Sequence, residues 1–330
     1  MGTPSLLLLL ATACAPSATI ALGGGDDTAL DTDTALDTDT AATPDTALDT
    51  GDPEPPAVFT IIAVPDTQFL PAGWPAVFDE TFVWIAAHAE ELNLAFVLGE
   101  GDVVQDDLPS EWAVAEAAWR RLDGVVPYAV AVGNHDLTGS DSTQYNRAFP
   151  RDVQEGLTGF GGSREPDKMD DAWHTFRAGG VDWLVLSLSW TQSEEQLAWA
   201  AAVVAEHPQH RLIVTTHAYL QPSGSLAGQG ERIWSDVLEP AATATLVVNG
   251  HYTSPTAAHQ LQVGAAGQEV AAIFANYQQE EGGGMGRIRL MEVDVAGGTI
   301  EVRTYAPVFD AWLDDDENEF TIGGLELGAL

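Results

Sequence analysis

The sequence predicts an α/β layered fold over residues 57–330, preceded by a disordered acidic tether at 23–56. From Ala57 onward, short apolar runs alternate with amphipathic stretches, the pattern of strands separated by helices. The chain is 45% hydrophobic with 10 Trp, enough to bury a real core and to exclude global disorder. Residues 23–56, in contrast, repeat a TALDTD unit and hold nine Asp, one Glu and no aromatic residue. Like charges repel there, and too little apolar surface exists to offset chain entropy, so an extended tether is expected. A calcium-binding repeat is the alternative, because Asp is a good ligand, but the Gly-turned loop of rigid calcium sites is absent.

Residues 1–22 read as an export segment. The run SLLLLLATA at 5–13 has the length of a signal-peptide core and is too short for a bilayer span. Ala11, Thr12 and Ala13 stand before Cys14, the only cysteine, and resemble a bacterial lipoprotein processing site. The expectation is therefore an exported protein, secreted or lipid-anchored to the bacterial cell envelope, touching membrane only through a lipid on Cys14.

Charge and cysteine usage exclude several classes. With 50 acidic and 12 basic residues the formal charge is −38, the wrong sign for a general binder of nucleic acid or anionic lipid. No Lys or Arg precedes Arg120. One cysteine excludes a disulfide framework and a Cys-rich zinc site.

Five apolar runs read as strands: 58–64, 94–98, 127–132, 211–215 and 245–248. Between them, 76–92 places Val77, Phe78, Phe82, Ile85, Ala89 and Leu92 on one helical face. A second helix is expected from an N-cap at Ser110 to about Leu122, and a third after Ser193, carrying Leu197, Ala200 and Val204 and ending before Pro208. Near the end, alternating residues on either side of Gly297–Gly298 predict a β-hairpin that closes the second sheet, and 312–320 reads as a solvated loop.

Each apolar run leads into a polar word: PDTQ (Asp66, Gln68), GEGD (Asp102), GNHD (Asn134, His135, Asp136), THAY (His217) and NGHYT (Asn249, His251). In α/β sheets the loops at the carboxyl ends of strands converge, and ligands bind there. Oxygen and imidazole donors without thiolate suit ions such as Mn²⁺, Fe or Zn²⁺. Gly101, Gly133 and Gly250 fit turns that bring backbone close to a charged centre. A lone His or Asp carries no such message, so His88, His174, His207, His210 and His259 read as surface or packing residues, and Asp106 and Asp107 as a solvated turn.

The order D-x-Q, G-D, G-N-H-D, H, G-H resembles the calcineurin-like metallophosphoesterase superfamily. The likeness runs over about 58–322 and takes in EWAVAEAAWRRLDGVVPYAVAVGNHD, NYQ at 276–278 and TYAP at 304–307. With PDTQ as first motif, it suggests a bacterial exported subgroup. It implies a four-layer α/β/β/α sandwich and two divalent ions. Asp102 would bridge them, Asn134, His217 and His251 would complete one, and Asp66 with Gln68 would hold the other. A hydroxide activated between the ions would hydrolyse a phosphoester, with His135 aiding the leaving group and Asp136 orienting it.

Two departures from that pattern stand out. Gln68 replaces an imidazole ligand, and Thr253 replaces the second His of G-H-x-H. A tight ion at Asp102/Asn134/His217/His251 and a looser one at Asp66/Gln68 follow. The residue three after the G-D Asp is Gln105, to which the sequence assigns no role. The rival reading is a weakened or inactive surface protein that binds metal or ligand and keeps the phosphoesterase fold. A small phosphoester, a monomeric chain and no nucleic-acid partner are expected. The 138–172 insertion with Tyr145 and Phe149, and the 219–231 segment, are candidates to wall the pocket; Trp74, Tyr219 and Tyr252, near the ligand loops, are candidates to stack on a nucleobase or sugar, with packing as the alternative.

Overall fold

A computed structural model describes residues 57–254 and 256–330. The expected signal segment, Cys14 and the acidic tether lie outside the described residues. In chain order the first half runs β1 (Val58–Val64), α1 (Leu70–Gly73), α2 (Pro75–His88), β2 (Leu94–Gly99), α3 (Pro109–Trp119), β3 (Tyr128–Val130), α4 (Thr143–Ala148) and α5 (Arg151–Gln154). Next come β4 (Phe160–Ser163), β5 (Ala172–Ala178), β6 (Val181–Leu188), α6 (Glu194–Glu206), β7 (Arg211–Thr216), α7 (Gly228–Ile233) and β8 (Ala244–Asn249). The chain closes with β9 (Ala257–Val263), β10 (Glu269–Ala275), β11 (Ile288–Asp294), β12 (Thr299–Ala306), β13 (Ala311–Leu313) and β14 (Glu319–Gly323).

Among the described residues these strands form two seven-stranded sheets. One is ordered β13-β12-β11-β1-β2-β3, with β14 also on β12; the other is β4-β5-β6-β7-β8-β10-β9. Each has a parallel centre, β1-β2-β3 in the first and β6-β7-β8-β10 in the second. Side-chain alternation then builds the layers. Phe59, Ile61, Phe96 and Leu98 face Trp183, Val185, Ile213, Val248 and Ile273 between the sheets. The opposite faces are covered by helices: Ile62 and Val97 meet Phe78, Phe82, Trp112 and Trp119, while Leu186, Val214 and Val247 meet Leu197, Ala200 and Val204. This is the four-layer α/β/β/α sandwich. No helix among the described residues is long and apolar enough to cross a membrane.

The expected strands and the α6 cap hold. The Ser193 hydroxyl accepts from Gln196 N–H at 3.2 Å while Gln196 Oε1 accepts from Ser193 N–H at 2.8 Å. Other expectations need correction. Ser110 does not cap α3; Pro109 opens it, where a missing N–H costs nothing, and Glu111 Oε2 takes the backbone N–H of Asp106 and Leu108. The first helix ends at His88 rather than 92. The terminal hairpin β11–β12 joins the sheet of β1, not the second sheet: β11 runs antiparallel to β1 and covers what would be its open edge. The 312–320 loop is not wholly solvated, because buried Asn318 accepts the Tyr277 hydroxyl at 2.6 Å. Tyr145 and Phe149 pack into the outer core beside Trp112, where they line a small cavity with Tyr128, Met169 and His174, and the Tyr145 hydroxyl donates to the Val130 carbonyl at 2.7 Å.

Candidate metal centre

The expected polar words sit in two sheets rather than at one sheet's edge, and the two edges meet. Asp66, Asp102 and Asn134 follow β1, β2 and β3; His217 and His251 follow β7 and β8. His217 is fully buried, and its Nδ1 donates to the Glu100 carbonyl at 2.9 Å. That bond points Nε2 inward, where it carries a proton in the bare site or would turn its lone pair to a cation. Around this nitrogen lie Asp102 Oδ2 at 3.1 Å, Asn134 Oδ1 at 3.2 Å and His251 Nδ1 at 3.1 Å. Ligand atoms of Asp102, His217 and His251 all fall within 4.8 Å of one another.

Four electron-rich atoms crowded together repel unless a proton or a metal cation sits among them. The titration of the bare site shows the same demand. Burial disfavours a charged His217, yet Asp102 and Asp66 overcome that and push it up to about 10. Burial, helped by the neighbouring His217 charge, holds His251 down to about 4. The donor set of carboxylate, amide oxygen and two imidazoles fits a divalent cation.

Asp66 is sealed in the second half of the site. Both its oxygens accept the His251 backbone N–H at 3.1 Å, and Oδ2 also accepts from Asn276 Nδ2 at 2.7 Å. Gly250 is required here by close approach: a Cβ on it would stand 1.8 Å from Asp66 Oδ1. Gly133 is similar, with a Cβ 2.1 Å from the Asp102 nitrogen. Asp102 and His251 themselves hold positive φ of 45° and 74°, strain that surrounding contacts must support. Gln68 is 3% exposed, and its Oε1 is buried without a hydrogen-bond partner, a further oxygen suited to a cation.

His135 and Asp136 separate in role. The His135 ring is anchored through Nδ1 to the Gln105 carbonyl at 2.8 Å, and its backbone N–H donates to Asp102 Oδ1 at 2.8 Å. Asp136 does not orient that ring. Its oxygens accept backbone N–H from Val103, Val104 and Gly133, tying the two ligand loops together. Burial and the nearby Asp102 charge raise Asp136 to about 7. Asn249 likewise spends its amide on the Leu220 backbone. Tyr252 packs on His251 at 4.8 Å, whereas Tyr219 is buried with its hydroxyl on Gln262 and Trp74 is 43% exposed.

Sequence reasoning missed Gln105, Trp190 and Asn276. Trp190 lies 4.5 Å from the His251 ring and 5.4 Å from that of His217. It follows β6, as Asn276 follows β10, and neither run is among the five expected strands. Both VDWLVLSL and EVAAIFA carry the apolar signal that would have revealed them.

The family profile described as calcineurin-like phosphoesterase matches residues 59–255. YvnB of Bacillus subtilis (strain 168), itself described as an uncharacterized protein, is 30% identical over 266 residues, covering 78% of this chain and 20% of its own. The chain thus spans about a fifth of the length of that curated relative. Among solved structures, a purple acid phosphatase from yellow lupin (Lupinus luteus) seeds shares the fold, with a TM-score of 0.52 at 14% identity over 81% of this chain and 55% of that one. Sandwich, ordered loops and profile agree: the chain belongs to the calcineurin-like phosphoesterase family.

Proposed function

We propose that this chain hydrolyses small phosphoesters using two divalent ions, of Mn, Fe or Zn, at the shared end of its sheets. The observation that carries the reading is the crowding of Asp102, Asn134 and His251 donor atoms within 3.2 Å of His217 Nε2. Those four residues would hold one ion; Asp66 and Gln68, sharing Asp102, would hold the second. Ions bound there supply Lewis acidity that lowers the pKa of water and offsets charge on the phosphoryl oxygens.

The chain's own groups do the rest. Asn276 and the His251 amide hold the Asp66 carboxylate in place, where burial pushes it well above the usual carboxylate range and a bound cation would favour its ionised form. The Gln105 carbonyl holds His135 by Nδ1–H and leaves Nε2 outward; the doubly protonated ring would pass its Nε2 proton to the leaving oxygen and end as the neutral ring with hydrogen on Nδ1. Asp136 locks the loops that carry Asp102 and His135 to each other. Because Gln68 offers a neutral amide oxygen where an imidazole is usual, the ion beside Asp66 is the looser one.

Gln68 and Thr253 also favour a second reading, a surface protein that binds metal or ligand without turnover. Hydrolysis of an aryl phosphate monoester and an aryl phosphate diester with added Mn²⁺, measured beside metal stoichiometry, separates the two. The proposal expects turnover that a chelator abolishes. Bound ions with no turnover under any divalent metal would leave the binding protein.

A further inference from the structure

We infer that Gln105 is a positioning residue that serves two site groups at once: its side chain frees the Gln68 amide oxygen for a cation, and its main chain fixes the His135 ring. The inference rests on the proposed second ion at Asp66 and Gln68.

A glutamine amide is ambivalent, with an oxygen that accepts and a nitrogen that donates. A cation can use only the oxygen, so a Gln ligand works when its nitrogen is committed elsewhere. Gln105 makes that commitment: Gln68 Nε2 donates to Gln105 Oε1 at 2.6 Å. The opposite end of the same amide, Gln68 Oε1, is buried and has no partner. Gln68 is also fixed at its backbone, where its N–H donates to the Asp102 carbonyl at 2.9 Å. A His in this position would need an acceptor for its second ring N–H, whereas Gln68 needs one for its amide N–H. The departure at 68 and the residue at 105 are therefore one device.

The second half of the device is the Gln105 carbonyl, which accepts from His135 Nδ1 at 2.8 Å. This contact selects the tautomer with hydrogen on Nδ1. It is independent of the side chain at 105, so the two halves can be separated by substitution. Asp136 holds the segment in register by accepting from the amides of Val103 and Val104, immediately before Gln105.

The test is Mn²⁺ binding to the full chain by calorimetry, with Gln105→Leu and Gln105→Glu. Wild type is expected to show a tighter and a looser class of site. Gln105→Leu should weaken the looser class about 10- to 100-fold and spare the tighter one. Gln105→Glu retains an acceptor for Gln68 Nε2 and should restore binding. The same Gln105→Leu change in a Gln68→Glu background should cost less than about threefold, because a carboxylate has two equivalent oxygens and needs no orienting. Should Gln105→Leu not fold, Gln105→Ala against Gln105→Glu carries the same comparison. Nitrogen NMR of His135 should report hydrogen on Nδ1 in every variant. Two classes in wild type with an unchanged looser class in Gln105→Leu, or equal losses in both backgrounds, would overturn the side-chain half; a ring with hydrogen on Nε2 and none on Nδ1 would overturn the main-chain half. A wild type with a single class overturns the two-ion reading itself.

Discussion

His217 Nε2 lies 3.1 Å from Asp102 Oδ2, with both side chains sealed from solvent. In the bare site only a proton on His217 can reconcile the pair, and a bound cation must displace it. Because His217 is raised from its ordinary 6.5 to about 10, its contribution to stability without metal is full below pH 6.5 and is lost as pH climbs toward 10. The metal-free chain should therefore melt at falling temperatures across that window, and the metal-loaded chain should not. Calorimetry in buffers of different ionisation enthalpy should also show about one proton released per tight ion at pH 7 to 8. A melting temperature that is flat from pH 6.5 to 10 without metal contradicts this pairing.

Asp102→Asn removes the charge that the two proposed ion positions would share. Both affinities and turnover should fall together, each by more than about 100-fold. Elemental analysis alongside a rate assay checks it, and full activity in this variant ends the two-ion reading.

His135→Ala leaves the donor atoms of Asp102, Asn134, His217 and His251 in place and takes away only a ring held by a backbone carbonyl. Turnover should drop by about 10²- to 10⁴-fold while metal content stays near wild type. Loss of metal with a spared rate would reverse the assignment.

Gly250→Ala tests the close approach beneath Asp66. Its new Cβ meets Asp66 Oδ1 at 1.8 Å, and no slack exists because Asn276 and the His251 amide grip the same carboxylate. The looser ion should weaken about 10- to 100-fold while the far-ultraviolet spectrum is retained. Unaltered binding would show that Asp66 is free to move.

Phe82→Ala, in the helix-covered outer core, is a control on that separation. Phe82 is wholly buried and packs 4.7 Å from the Trp119 ring. The change should cost about 3–5 kcal/mol of stability by denaturant titration and leave metal affinity unchanged.

Much of the fold was legible because strands and ligands announced themselves together. Each of β1, β2, β3, β7 and β8 is an apolar run that ends in a distinctive polar word, and those words alone assemble the atoms around His217. What stayed hidden was pairing. Nothing local in RIRLMEVDV says that it will lie against β1, because both sheets present the same alternation. Asp136 looked like a partner for its neighbour His135, but adjacency in sequence did not reveal that its oxygens would be taken by Val103, Val104 and Gly133. Gln105 was unreadable for a related reason: one of its two contacts is made by a main-chain carbonyl, which no side-chain pattern encodes.

The central claim is that side chains from two sheets meet around shared cations. Elemental analysis of the full chain, loaded with excess Mn²⁺ and freed of unbound ion, tests it most directly. The account predicts two ions per chain, falling to none in Asp102→Asn. A wild-type chain that retains no ion under these conditions would contradict it.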